Sequence, residues 1–171
     1  DLYDDILYLT TNDETPNNKL ISINLKKWLQ NPIILNDAVN KHLILDDKSS
    51  NDIVTTLIPE SDSVLEIETS GKYFIANYQR NALSEPIQYT YTGEKVRTIT
   101  LPSPGTAYNF TAKRHEVSTY FTFLNYTTPE TIYSLDLDSG VTTFYRSPKI
   151  DLPGLDCLKC VQVFIPSKDG K

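Results

Sequence analysis

The sequence predicts an all-β chain built from about three four-stranded antiparallel units. Apolar and polar residues alternate with a period of two along most of its length, as half-buried strands require. Gly-containing pairs close these runs where hairpin turns belong. Two long aromatic runs recur at a fixed spacing, and no helical pattern reaches about twelve residues.

Leu20-Ile21-Ser22-Ile23-Asn24-Leu25-Lys26 places Ile21, Ile23 and Leu25 on one face, and Tyr133 to Asp138 alternates the same way. Tyr73–Tyr78 and Tyr120–Tyr126 are dense in aromatic residues and predict strands buried on both faces. Ser70-Gly71, Thr92-Gly93 and Ser139-Gly140 predict turns. Asn24 to Leu29, holding Trp28, is the single candidate for a short helix.

Phe74 and Phe121 lie 47 positions apart, and so do Gly93 and Gly140. Two landmarks at one offset define a repeat. In each copy the aromatic run is followed by a polar loop with Pro (Pro86, Pro129), a second run (Ile87–Tyr91, Ile132–Leu137), a Gly turn and a third run (Lys95–Leu101, Val141–Tyr145). A leading run, Val64–Thr69 or Tyr108–Ala112, makes four strands per copy. An earlier copy takes Ile6–Thr10, Lys19–Leu25 and His42–Asp46, with inserts around Lys26–Lys41 and Lys48–Ser63 and a first strand expected before Asp1. Four strands at about 40–50 residues are the mark of a β-propeller blade, and a closed ring takes at least about four blades. The sequence contains no Met, even at position 1, so the chain is expected to be cut from a longer polypeptide. Expressed alone, its uncovered sheet faces are expected to make it poorly soluble or oligomeric.

The net charge of −6 and the lack of a basic stripe argue against a nucleic-acid partner. Lys113-Arg114-His115 reads as a solvated strand end. No apolar run has the length of a membrane span. Cys157 and Cys160 have no second pair at metal-ligand spacing, and His42 and His115 are far apart, so neither metal nor cofactor is expected. The Val161–Phe164 run beyond the cysteines reads as a strand rather than the helix start of a redox motif. The sequons at Asn109 and Asn125 fall inside strand patterns and read as chance occurrences.

The end of the chain, Val161-Gln162-Val163-Phe164-Ile165-Pro166-Ser167-Lys168-Asp169-Gly170-Lys171, resembles a segment of the prolyl oligopeptidase family of serine peptidases. That segment leads from a propeller into an α/β-hydrolase domain. Thr10–Leu25 and Pro129–Leu137 are similar to two further stretches of the family, with Glu130, Ile165 and Lys171 departing from the usual Gly, Tyr and Thr.

The resemblance implies part of a seven-bladed β-propeller: most of blade five, then blades six and seven. Residues 1–158 would be propeller, and 159–171 the linker and first strand of the peptidase domain. The family's Ser, Asp and His follow that linker, so no catalytic residue is assigned here. No Gly-x-Ser-x-Gly elbow is present, and adjacent His115 and Glu116 on a strand would face opposite ways. The implied role is to admit short proline-containing peptides to a cytoplasmic enzyme while excluding folded proteins, with the other blades and the hydrolase domain as partners. The first strand of each blade lines the channel in such folds, which nominates Glu66 and Glu68 as tunnel residues. Two other readings are a non-catalytic propeller scaffold and a Tyr-rich carbohydrate-binding sandwich.

Overall fold

The computed structural model describes residues 2–30, 53–150, 154 and 157–168. Among these residues, twelve strands form three four-stranded antiparallel sheets, accompanied by one short helix. The first sheet holds β1 (Leu2–Tyr3), β2 (Ile6–Thr11), β3 (Lys19–Asn24) and β4 (Val54–Ile58), with helix α1 (Leu25–Gln30) after β3. The second holds β5 (Leu65–Ser70), β6 (Tyr73–Arg80), β7 (Leu83–Thr90) and β8 (Lys95–Thr98). The third holds β9 (Thr106–Tyr108), β10 (Ser118–Asn125), β11 (Thr128–Asp136) and β12 (Thr142–Arg146). Strand order within each sheet follows the chain, as in a propeller blade.

Local chemistry explains the elements. Asn24 caps α1 by accepting the Lys27 N–H at 3.0 Å. Gly71, Gly93 and Gly140 take φ of 57°, 86° and 76° in the predicted turns. The β6–β7 hairpin turns through Asn81 and Ala82, at φ of 51° and 61°, which matches the twist of the strands it joins.

Several boundaries differ from the sequence reading. The first sheet already has a first strand in Leu2–Tyr3, paired with Ile6 and Leu7. Its fourth strand is Val54–Ile58, inside a stretch read as an insert, because the β-branched Val-Thr-Thr run suits a strand although it does not alternate. His42–Asp46 lies outside the described residues. Pro86 and Pro129 sit within β7 and β11 rather than in loops. The Pro86 carbonyl accepts the Ile99 N–H at 2.9 Å. Its ring nitrogen therefore faces the β8 side, and no β6 bond is lost. Instead of a strand over Tyr108–Ala112, the chain leaves β9 at Tyr108, turns at Asn109 (φ 65°), and reaches the second sheet through a bridge between Ser70 and Ala112. Val161–Phe164 forms no strand and is solvent-exposed.

Two apolar seams hold the sheets together. The first joins Tyr8, Leu20 and Ile58 to Leu65, Phe74, Ala76, Tyr78 and Ile87. The second joins Ile75 and Ile99 to Ala107, Phe110, Phe121, Phe123, Leu135 and Leu137. The middle sheet is thus covered on both faces, as the Tyr73–Tyr78 run predicted. Tyr120–Tyr126 is not: Phe121 and Phe123 are buried, but Tyr120 is half exposed on the open face and packs edge-on against Tyr145 at 4.8 Å.

Burial raises the phenol pKa of Tyr78, Tyr8 and Tyr91 at the first seam. The Arg114 cation partly opposes this at Tyr8 and Tyr91. The unfolded chain releases these protons near its ordinary value of 10, while the folded chain still holds them. The stabilisation is therefore complete below pH 10 and declines above it. Melting curves between about pH 9 and 11 should show the fall, and Tyr78→Phe should lessen it. An equal fall in the variant would assign the loss elsewhere.

Candidate functional site

The first strand of the second sheet meets the segment that follows β9. The Thr111 hydroxyl donates to the Glu68 carboxylate at 2.7 Å, and the Ala112 N–H donates to the Thr69 carbonyl at 3.2 Å. Glu66 and Glu68 share one face of β5, opposite Asn77 and Ile75 of β6, while Leu65 and Ile67 turn to the first seam. Glu66 is exposed and Glu68 half-buried. Glu68 borders a cavity of about 470 Å³ with Tyr8, Leu20, Ile67, Phe74 and Thr111. This wall can present negative charge beside apolar and hydroxyl groups.

Buried polar groups on β6 and β7 fix the second and third sheets to each other. Asn77 Nδ2 donates to the Ala107 carbonyl at 2.9 Å, and Gln88 Nε2 to the Leu137 carbonyl at 2.7 Å. The Ala107 N–H donates to Ser84 Oγ at 3.0 Å. Sequence reasoning missed these three side chains, since in an alternating strand a buried Asn or Gln looks like any solvated position.

The remaining motifs divide similarly. His115 and Glu116 lie in a turn, not a strand, and Glu116 accepts the Lys113 N–H at 2.7 Å. Arg114 is no solvated strand end: its guanidinium carbon lies 3.0 Å from the centre of the Tyr3 ring and 4.0 Å from that of Tyr91. Cys157 and Cys160 are free thiols, and no cluster of three metal-ligating side chains occurs among the described residues. Both faces of the Asn125 amide are engaged, its Nδ2 with Ser103 and Pro104 and its Oδ1 with the Thr127 and Thr128 N–H groups. Asn109 is exposed in its turn rather than enclosed in a strand. Glu130 lies within β11 and accepts the Tyr108 hydroxyl at 2.9 Å. No helix among the described residues is long and apolar enough to cross a membrane.

Residues 1–148 match the family model described as the prolyl oligopeptidase N-terminal β-propeller domain. The chain is 32% identical to a prolyl endopeptidase of Elizabethkingia miricola over 166 residues, covering 97% of this chain and 20% of the relative. It is 28% identical to a prolyl endopeptidase of Dictyostelium discoideum, covering 96% and 20%. The fold is shared with apo prolyl oligopeptidase B of Galerina marginata, at a TM-score of 0.75 and 23% identity over 99% of this chain and 22% of that one. The chain thus spans 20% of the length of the curated relatives it matches. With the blade order of its three sheets and the matched residues in agreement, the chain belongs to the prolyl oligopeptidase family, within that family's N-terminal β-propeller domain.

Proposed function

We propose that this chain is the substrate-admitting part of a serine endopeptidase that cleaves short peptides after proline. The observation that carries the reading is the family match over residues 1–148, on a chain whose sheets follow blade order. Residues 1–158 supply consecutive blades, and 159–171 lead into a hydrolase domain that brings the nucleophile. The exposed apolar positions of that second stretch support this division. Val161, Val163, Phe164 and Ile165 are 70–82% exposed, and an apolar row of this kind needs another surface to cover it. The open Tyr120 and Tyr145 face of the third sheet is a surface for a further blade.

The complete gene product tests this. It should cut a proline-containing peptide on the carboxyl side of proline and lose activity to a serine-directed phosphonate. Tight binding to other proteins without any hydrolysis would favour a scaffold.

Glu66 and Glu68 line the path that peptides take. Reversing both charges (E66K, E68K) in the complete enzyme should change the ratio of kcat/KM between cationic and anionic peptides by roughly tenfold, through the local potential on the wall. An unaltered ratio would remove both residues from the path.

A further inference from the structure

The loop joining β9 to β10, residues 109–117, is fastened to the middle sheet. The bridge of Ala112 to Ser70 and the bond from Thr111 to Glu68 hold its first half. In its second half, Glu116 accepts the Lys113 N–H and closes a turn. This turn rests on the β5–β6 hairpin with no slack: a Cβ on Gly71 would lie 2.5 Å from the Glu116 carbonyl oxygen. The tip of the turn carries Arg114 past the middle sheet to the first one. There the guanidinium sits between the rings of Tyr3, in β1, and Tyr91, in the β7–β8 turn. Tyr91 in turn packs on Phe74 at 4.3 Å and on Tyr8 at 5.3 Å, across the first seam.

We infer that Arg114 is a clasp: a side chain of the β9–β10 loop that holds the first sheet against the second where β1 meets the β7–β8 turn. Three features support it. A planar cation between two aromatic faces is attracted to both. Tyr3 stands in β1, a two-residue strand at the edge of its sheet, paired with β2. The two seams also differ in kind. Bonds from Asn77, Ser84 and Gln88 lock the second, whereas the first is pinned at the start of β5, where the Leu65 N–H donates to the Asn17 carbonyl at 2.9 Å and Asn18 Nδ2 to the Leu65 carbonyl at 3.1 Å, and is aromatic and aliphatic at its centre. Away from that pin the apolar seam can slide or part, so a clasp beyond the other end of β5, where the 113–116 turn lies over Gly71, has a mechanical role. Releasing it frees the first sheet from the second at that contact and leaves the second and third joined.

Amide hydrogen exchange on the complete protein tests it. Arg114→Ala should speed exchange about tenfold over Ile6–Thr11 and Thr90–Gly93, leaving Phe121–Phe123 and Ile132–Leu135 unchanged. Tyr3→Leu should produce the same pattern, and combining it with Arg114→Ala should add little. Arg114→Lys keeps the charge but loses the planar stack, and should fall between. Faster exchange confined to residues 112–118 would reduce Arg114 to a loop support and overturn the inference. A uniform loss of protection in all three sheets would overturn it too, as an effect on global stability alone.

Discussion

Replacing Phe121 with Ala should cost about 4 kcal/mol of folding stability, the range for truncating an enclosed aromatic side chain. Phe121 is 1% exposed and stacks between Phe110 and Tyr133, with ring centres 4.8 and 5.6 Å away. Its strand is held on both sides, by β9 and by β11, so the walls of the new cavity cannot close in. The control is Tyr126→Ala, at a side chain 98% exposed, which should change stability by no more than about 0.5 kcal/mol. Urea unfolding with an unchanged m-value makes the comparison. A loss below about 1 kcal/mol for Phe121→Ala would mean that the second seam is not a packed core.

Gly71→Ala should cost about 3 kcal/mol, through left-handed backbone strain together with a steric clash. Gly71 has φ +57°, and an added Cβ would lie 2.5 Å from the Glu116 carbonyl and 2.7 Å from Leu137 Cδ1. A carbonyl in a closed turn cannot move aside cheaply. Gly140 also has a positive φ, +76°, but the atoms in its way belong to the flexible Arg97 side chain. Gly140→Ala should therefore cost only about 1 kcal/mol, from the backbone term alone. Equal losses at the two positions would show that backbone conformation decides both, and that the loop over Gly71 can yield.

The parts of the fold that were legible in the sequence are those whose physics is local. A glycine at positive φ and an alternating aromatic run keep their spacing from blade to blade, so Gly93, Gly140, Phe74 and Phe121 were enough to reveal the repeat. Val54–Ile58 escaped because it becomes the fourth strand of its sheet by pairing with β3, across more than 30 residues. The Tyr108–Ala112 run looked like a strand because Phe110 is apolar. Phe110 is instead buried from a turn, beside Phe121.

Of the candidate site, the positions of Glu66 and Glu68 on one face of a strand were legible in their alternation with Leu65 and Ile67. The Thr111 hydroxyl on Glu68 could not, being 43 positions away. Arg114 was hidden more thoroughly. A basic residue between Lys113 and His115 carries the pattern of a solvated charge, and only the convergence of three sheets gives it two aromatic partners.

The most direct test of the account is the dependence of the proposed cleavage on substrate size in the complete gene product. One proline site would be placed in a short peptide and, with the same flanking residues, in a loop of a stably folded protein. The gating proposed for these blades predicts that the peptide is cut and the folded protein is not. Cleavage of the folded protein at a rate near that of the peptide would contradict the account, because the blades would then exclude nothing.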